Sequence, residues 1–218
     1  MHSTTPPAGD PPAGDSEHAG DGTKATIAQA ALETLKTRGF AGASAREIAK
    51  AGGFNQALIF YHFGSVQNAL LAGLDLVSAR RMEAYGPAFV SAQTLAELAT
   101  LAGEIYREDL DNGYVTVLGE MVAGAVSDPQ LGGEVMTRIQ PWLDLVENKV
   151  RMLIAGSLFE PLIPAGDVAF AIVALYLGVD MLSHLDHDRT RAESLFGLGT
   201  RIAPLAQALL PTRPKEER

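Results

Sequence analysis

A chain of 218 residues with 47% hydrophobic and 20% charged side chains is long enough to bury a core in one or two domains and has the balance of a globular protein. It has no cysteine, no basic stretch leading into an apolar run at its start and no unbroken apolar stretch of membrane-spanning length; a disulfide framework, thiolate metal sites, export and membrane insertion are therefore not expected, and a cytoplasmic location fits. A net charge of −9 argues against a nucleic-acid partner only if it is spread evenly, so its distribution decides more than its sum.

Residues 1–22 carry a duplicated PPAGD pentad from Pro6 to Asp15 and no large apolar residue after Met1, so they predict a disordered tail. A helix is expected from about Thr23, with Ile27, Ala30, Ala31, Leu32 and Leu35 at helical spacing up to Gly39. Ser44 and Glu47 have the spacing of a capping box, Ile48 and Ala49 follow on an apolar face, and Gly52-Gly53 closes a short helix. Asn55 then opens a second short helix through Ile59 and Phe60, ending in Tyr61, His62 and Phe63. Two short helices joined by a glycine turn form a helix-turn-helix, whose second helix enters the DNA major groove. Residues 23–68, where Lys24, Lys36, Arg38, Arg46 and Lys50 outnumber Glu33 and Glu47, are the only net-positive block. A small basic reading head on an acidic body is the pattern implied.

Gly64-Ser65 caps a fourth helix with Leu70, Leu71, Leu74, Val77 and Met82 as its buried stripe, and Gly86-Pro87 is expected to break it. Five further helices are predicted at 93–110, 114–126, 128–159, 165–185 and 190–209, with Pro141 kinking or dividing the third. PTRPKEER from Pro211 should fray. No stretch alternates apolar and polar residues as a strand does, so the fold class is all-α. The domains expected are a tail at 1–22, a three-helix DNA-binding head at 23–68, a helical ligand-binding and dimerisation body at 69–211, and a frayed end at 212–218.

The order of these elements and the residues Ile27, Ala30, Ala31, Ser44, Ile48, Ala49, Gly52 or Gly53, Ile59, His62 and Phe63 resemble the N-terminal pattern of the TetR family of bacterial transcriptional regulators. The resemblance covers about 50 residues of the head. It implies a ligand-responsive, sequence-specific regulator, a repressor released from a palindromic operator by a small and mostly apolar molecule. This chain departs from the family pattern in four places. Phe60 stands where a tyrosine usually contacts phosphate, Val66 where a lysine is common, Asn55 for Ser or Thr, and Ala57 for Gly. One or two lost phosphate contacts would weaken binding and flatten its salt dependence. An alternative reading is a helical ligand-binding or scaffolding protein whose DNA binding has weakened.

Gln56 could pair with adenine, Asn55 either caps the helix or reaches a base or phosphate, and Ala57 could meet a thymine methyl. Leu58 is expected to be exposed if Ile59 points inward. Lys24, Ser44, Arg46 and Ser65 are phosphate candidates beside helix starts or the turn. Phe60 and Tyr61 complete the DNA-facing set, with His62 either structural or on a phosphate. The family's body holds a ligand cavity, for which Tyr106, Met121, Trp142 and Phe170 are the lining candidates. The helices near 168–185 and 190–209 are apolar around much of their girth and need partners on more than one side. Ile172, Leu175, Tyr176, Val179, Leu198, Ile202 and Leu205 are therefore the predicted homodimer interface, which would set two recognition helices roughly 34–36 Å apart.

His184 and His187 share a helical face, but a helix end favours histidine without any metal, and no metal site or cofactor is predicted. Asp180, one turn before His184, points to water, pairs with His184 or faces a cavity. No nucleophile elbow, phosphate-binding glycine loop or metal motif is present, so no catalytic residue is assigned and no enzyme is expected. The partners expected are double-stranded DNA, a small-molecule effector and a second copy of the chain, with no membrane.

Overall fold

The computed structural model describes residues 14–157, 160–186 and 188–208, and these form nine α-helices without a strand. They are α1 (Gly14–Gly42), α2 (Ala45–Gly52), α3 (Ala57–Phe63), α4 (Val66–Ser91), α5 (Leu95–Asp111), α6 (Tyr114–Ala125), α7 (Pro129–Ile154), α8 (Ala165–Asp186) and α9 (Thr190–Gln207). The apolar stripes read from the sequence meet in one core. Ile27, Ala31, Leu32 and Leu35 of α1 pack with Ile48 of α2, Ile59 of α3 and Leu70, Leu71, Leu74 and Val77 of α4. The same core runs on into Val117 and Met121 of α6 and Leu131, Val135 and Ile139 of α7. Each fully buried Leu or Ile contributes about 1.5–3 kcal/mol relative to exposure. Gly73 lets α4 approach α1: a Cβ there would lie 3.0 Å from the Leu32 backbone nitrogen.

Head and body are joined by specific contacts. Gly39, at φ 68° and ψ 179°, interrupts the helical geometry near the end of α1. That conformation is nearly exclusive to glycine. It turns the Phe40 amide to donate to Glu120 Oε2 of α6 at 2.7 Å and sets the Phe40 ring against Gly124. Gln67 Nε2 donates to Asp128 Oδ2, 2.9 Å away at the α7 N-cap. Within the body, buried Lys149 of α7 donates to the Val90 and Ala92 carbonyls at 2.7 and 2.9 Å, satisfying orphan acceptors at the C-terminal end of α4.

Several expectations are corrected. The helix expected from Thr23 starts at Gly14; no proline lies between Pro12 and Pro87 to stop it. Gly86-Pro87 does not end α4, which runs to Ser91; Pro87 falls in the final turns and is exposed, where one missing amide bond is tolerable. Pro141 likewise lies within a single α7, which stops at Ile154 rather than 159. The capping box at the start of α2 is half made. Ser44 Oγ accepts from the Glu47 amide at 3.3 Å, while the Glu47 carboxylate pairs with Arg38 at 3.3 Å. A complete box occurs instead at Thr94 and Glu97, opening α5.

The stretch Ala165–Ser183 of α8 is, by length and composition, apolar enough to cross a membrane, with a mean hydropathy of 1.7; Gly178 and Asp180 do not lower that mean enough to exclude it. Residues 1–13 of the tail expected at 1–22, the end at 212–218, His187, and the side chains of Asp180 and His184 lie outside the described residues.

Candidate DNA interface and ligand cavity

The turn between α2 and α3 is built by its caps. Gly53 takes the left-handed conformation at φ 69° and ψ 29°, and its amide closes on the Ala49 carbonyl. Asn55 Oδ1 then accepts from the Ala57 amide at 2.9 Å, so its side chain serves the start of α3. Ile59, fully buried, anchors this seven-residue helix, and Phe63 packs against the core. Leu58 is not exposed as expected: it is half-buried and packs on the core beside Ile59. A short helix lying on a core buries two adjacent positions, which a strict one-face reading misses.

The outward face of α3 carries Gln56, Ala57, Phe60 and Tyr61, all exposed, with Tyr61 at 82%. His62 is half-buried, its ring meeting Tyr61 edge-on at 4.8 Å. Ser44 caps α2, and Ser65 caps α4 by accepting from the Asn68 amide at 3.1 Å. Arg46 stands exposed beside the turn, 3.8 Å from Glu47, and Lys24 is exposed on α1. Ser44, Arg46, Asn55, Gln56, Ala57, Phe60, Tyr61, His62 and Ser65 thus all lie along α2, α3 and the start of α4. The half-buried Val66 side chain packs against the core. The arrangement offers exposed polar and aromatic groups on one short helix within the net-positive block at 23–68.

In the body, two chambers meet at Arg81, Leu118, Ile139, Trp142, Tyr176 and Leu177. The larger, about 130 Å³, is otherwise lined by apolar residues including Phe89, Ile105, Leu145 and Val173 and opens past Ile172. The smaller, about 40 Å³, reaches Ser78, Asp109, Tyr114 and Arg138. Of the predicted lining residues Trp142 faces both chambers, and its indole Nε1 donates to Ser78 Oγ at 3.1 Å. The other three do not line them. Tyr106 and Met121 are fully buried, Tyr106 against the Tyr176 and Phe196 rings and Met121 in the head–body core. Phe170 is 63% exposed on α8. Tyr106 instead borders a separate open groove between α5 and α9, with Arg107 and Phe196.

A polar cluster that the sequence reading missed sits between the chambers. Arg81 pairs with Asp109 at 2.5 Å, the Tyr176 hydroxyl donates to the same carboxylate, and the Arg81 guanidinium lies 4.7 Å from the Trp142 ring centre and 5.9 Å from that of Tyr176. Asp109 is 1% exposed. Burial raises its pKa above the usual carboxylate value, opposed by Arg81 and the Tyr176 hydrogen bond. Burial and the nearby Glu108 also raise the Tyr85 phenol. Spacing could have flagged the pair: Arg81 continues the Leu74–Val77 stripe and Asp109 the Ile105–Tyr106 stripe.

Among the predicted interface residues Leu175, Leu198, Ile202 and Leu205 are exposed, as is Ile172, which also borders the larger chamber. Val179 lines an open groove of about 460 Å³ between α8 and α9. Tyr176 is the correction in this set, because its ring and hydroxyl turn inward to Asp109. Among the described residues no three or more His, Asp or Glu come together as a metal site.

A helix-turn-helix at the N-terminal end of a helical body that holds an apolar pocket defines the class. Residues 27–71 match the sequence model described as bacterial regulatory proteins, tetR family. A TetR-family transcriptional regulator from Cytophaga hutchinsonii has a TM-score of 0.73 at 15% identity, covering 89% of this chain and 98% of that one. A TetR transcriptional regulator from Chloroflexus aurantiacus gives 0.69 at 18%, covering 89% and 100%. Bacillus subtilis FadR in complex with stearoyl-CoA gives 0.68 at 13%, covering 82% and 96%. No curated protein sequence matches the chain. The match to that family model is confined to residues 27–71, and the chain as a whole shares the fold of these solved structures.

Proposed function

We propose that the protein is a homodimeric transcriptional regulator that represses from a palindromic or near-palindromic operator and leaves it when a small, mostly apolar molecule enters the body. The observation carrying this reading is the outward face of α3, where Gln56, Ala57, Phe60 and Tyr61 are exposed while Ile59 is fully buried. A helix held rigidly by its core side and offering hydrogen-bonding and aromatic groups outward suits base and backbone contact in a major groove. Ser44 and Arg46 would hold phosphates beside it, and Lys24 would add charge from α1.

The uncovered apolar faces of α8 and α9, with Leu175, Leu198, Ile202 and Leu205 exposed, support pairing with a second copy across a four-helix interface. Release from the operator would be a population shift, in which an occupied body favours a head spacing that no longer fits successive grooves. FadR carries stearoyl-CoA, whereas the 130 Å³ chamber here has room for a molecule about the size of one aromatic ring. The protein acts in the cytoplasm, without a cofactor and without catalysis of its own.

A fluorescence anisotropy titration of the full chain with DNA from upstream of its own gene tests the reading. At moderate salt that DNA should bind at least a hundredfold more tightly than a scrambled duplex of equal length. Equal, weak binding to both would overturn sequence-specific repression and favour the ligand-binding or scaffolding alternative.

A further inference from the structure

We propose that Arg81 is a resident cation filling the cage formed by Trp142, Tyr176 and Asp109, so that the body admits an uncharged, ring-bearing alcohol and turns away organic ions. The inference rests on the ligand-responsive reading above and specifies the class of molecule the cavity takes.

Two aromatic faces and a buried carboxylate form the usual receptor for an organic cation. Here the receptor is already occupied. The guanidinium of Arg81 lies 4.7 Å from the Trp142 ring centre and 5.9 Å from that of Tyr176, and it is paired with Asp109 at 2.5 Å. An incoming cation would have to displace a tethered one that has already shed its water. An incoming anion would have to separate Arg81 from Asp109 and leave a carboxylate unpaired in an apolar surround, at a large desolvation cost. The third charge at the smaller chamber, Arg138, is already held by Asp75 and Glu134 at 2.8 and 2.9 Å. The lining therefore offers no uncompensated charge to an ionic ligand.

It does offer unused hydrogen-bonding capacity. Asp109 Oδ1 and Arg81 Nε are buried and meet no hydrogen-bond partner among the described residues. The first can only accept while ionised and the second can only donate. A hydroxyl can serve either kind of group, because it both donates and accepts, and both side chains border the smaller chamber. The adjoining apolar chamber of about 130 Å³ suits a ring attached to that hydroxyl by a short link.

Trp142 is the sole tryptophan, so its fluorescence reports occupancy directly. The experiment titrates the full chain, without DNA, with three molecules of matched shape: 2-phenylethanol, 2-phenylethylammonium and phenylacetate. On the wild type the alcohol should give a saturable change with a Kd at least tenfold below that of either ion. In Arg81→Met the cage is emptied of its cation, and the ammonium should bind at least tenfold more tightly than to the wild type. In Asp109→Asn the guanidinium loses its partner, and phenylacetate should gain by a similar factor. Far-UV circular dichroism checks each variant; if one fails to fold, the other and the wild-type order decide.

A wild-type preference for either ion, no saturable response to the alcohol, or the same order of the three ligands in wild type and folded variants would overturn the proposal. An ionic effector that releases operator DNA would sink this inference and leave the regulatory reading intact. An alcohol that binds at Trp142 without releasing operator DNA would do the reverse.

Discussion

The head and the far end of the body treat their apolar residues in opposite ways. Around α1 to α4, Ile27, Leu32, Leu35, Ile48, Ile59 and Leu70 are all essentially inaccessible to solvent, each covered by residues of its own chain. On α8 and α9, side chains of the same kind are left uncovered, with Leu205 at 73% and Leu182 at 67% exposure. The head uses its apolar surface to hold its short helices in place, and the body leaves apolar surface on α8 and α9 uncovered within the subunit. A patch of that kind is the usual mark of a binding face.

Substitutions should separate the two regions. Leu32→Ala, in the head, should cost about 2–5 kcal/mol in a denaturant titration, as expected for a large cavity in a closed core. Gly39→Ala should cost about 1–3 kcal/mol by the same measurement, because the new Cβ meets the Glu120 carboxylate at a backbone conformation that resists any side chain. Leu205→Glu, by contrast, should change subunit unfolding by less than about 0.5 kcal/mol while shifting sedimentation toward the monomer. A Leu205→Glu protein that loses as much stability as Leu32→Ala would erase the distinction between the two regions.

The smallest effect concerns acid. The pKa of Asp128 is lowered by hydrogen bonds from the Leu131 amide, Gln67 and the Gln130 amide. Its contribution to stability is therefore complete above the ordinary carboxylate value and is lost as pH falls through the lowered one. Asp128→Ala should flatten the acid limb of a stability–pH curve below about pH 4 and leave the neutral region parallel to the wild type.

Legibility followed the same division. In the head, local chemistry dictated the outcome: Gly53, Asn55 and Ser65 cap where their side chains and backbone preferences predict, and the apolar stripes of α1 and α4 land in the core. Leu58 escaped because one-face periodicity fails on so short a helix. In the body, the helices could be counted but not the void between them. Trp142 borders the two chambers and Tyr106 a groove elsewhere, whereas Met121, equally plausible by type, fills packing space. The Arg81–Asp109 pair was overlooked because each residue seems unremarkable in its own helix and becomes informative only when α4 and α5 are brought together. Pro87 and Pro141 were overweighted: a proline costs one backbone bond, and a long helix with packed neighbours absorbs it.

The central claim is that the exposed face of α3, with Arg46 beside it, reads DNA. It is tested most directly by comparing wild type with Gln56→Ala/Arg46→Ala on the same upstream DNA, with unfolding followed in parallel. Both side chains are exposed, so stability should stay within about 0.5 kcal/mol of the wild type. Affinity should fall at least tenfold, and the slope of log affinity against log salt should drop by about one for the lost charge. Unchanged affinity and salt dependence in a fully folded double variant would contradict the account.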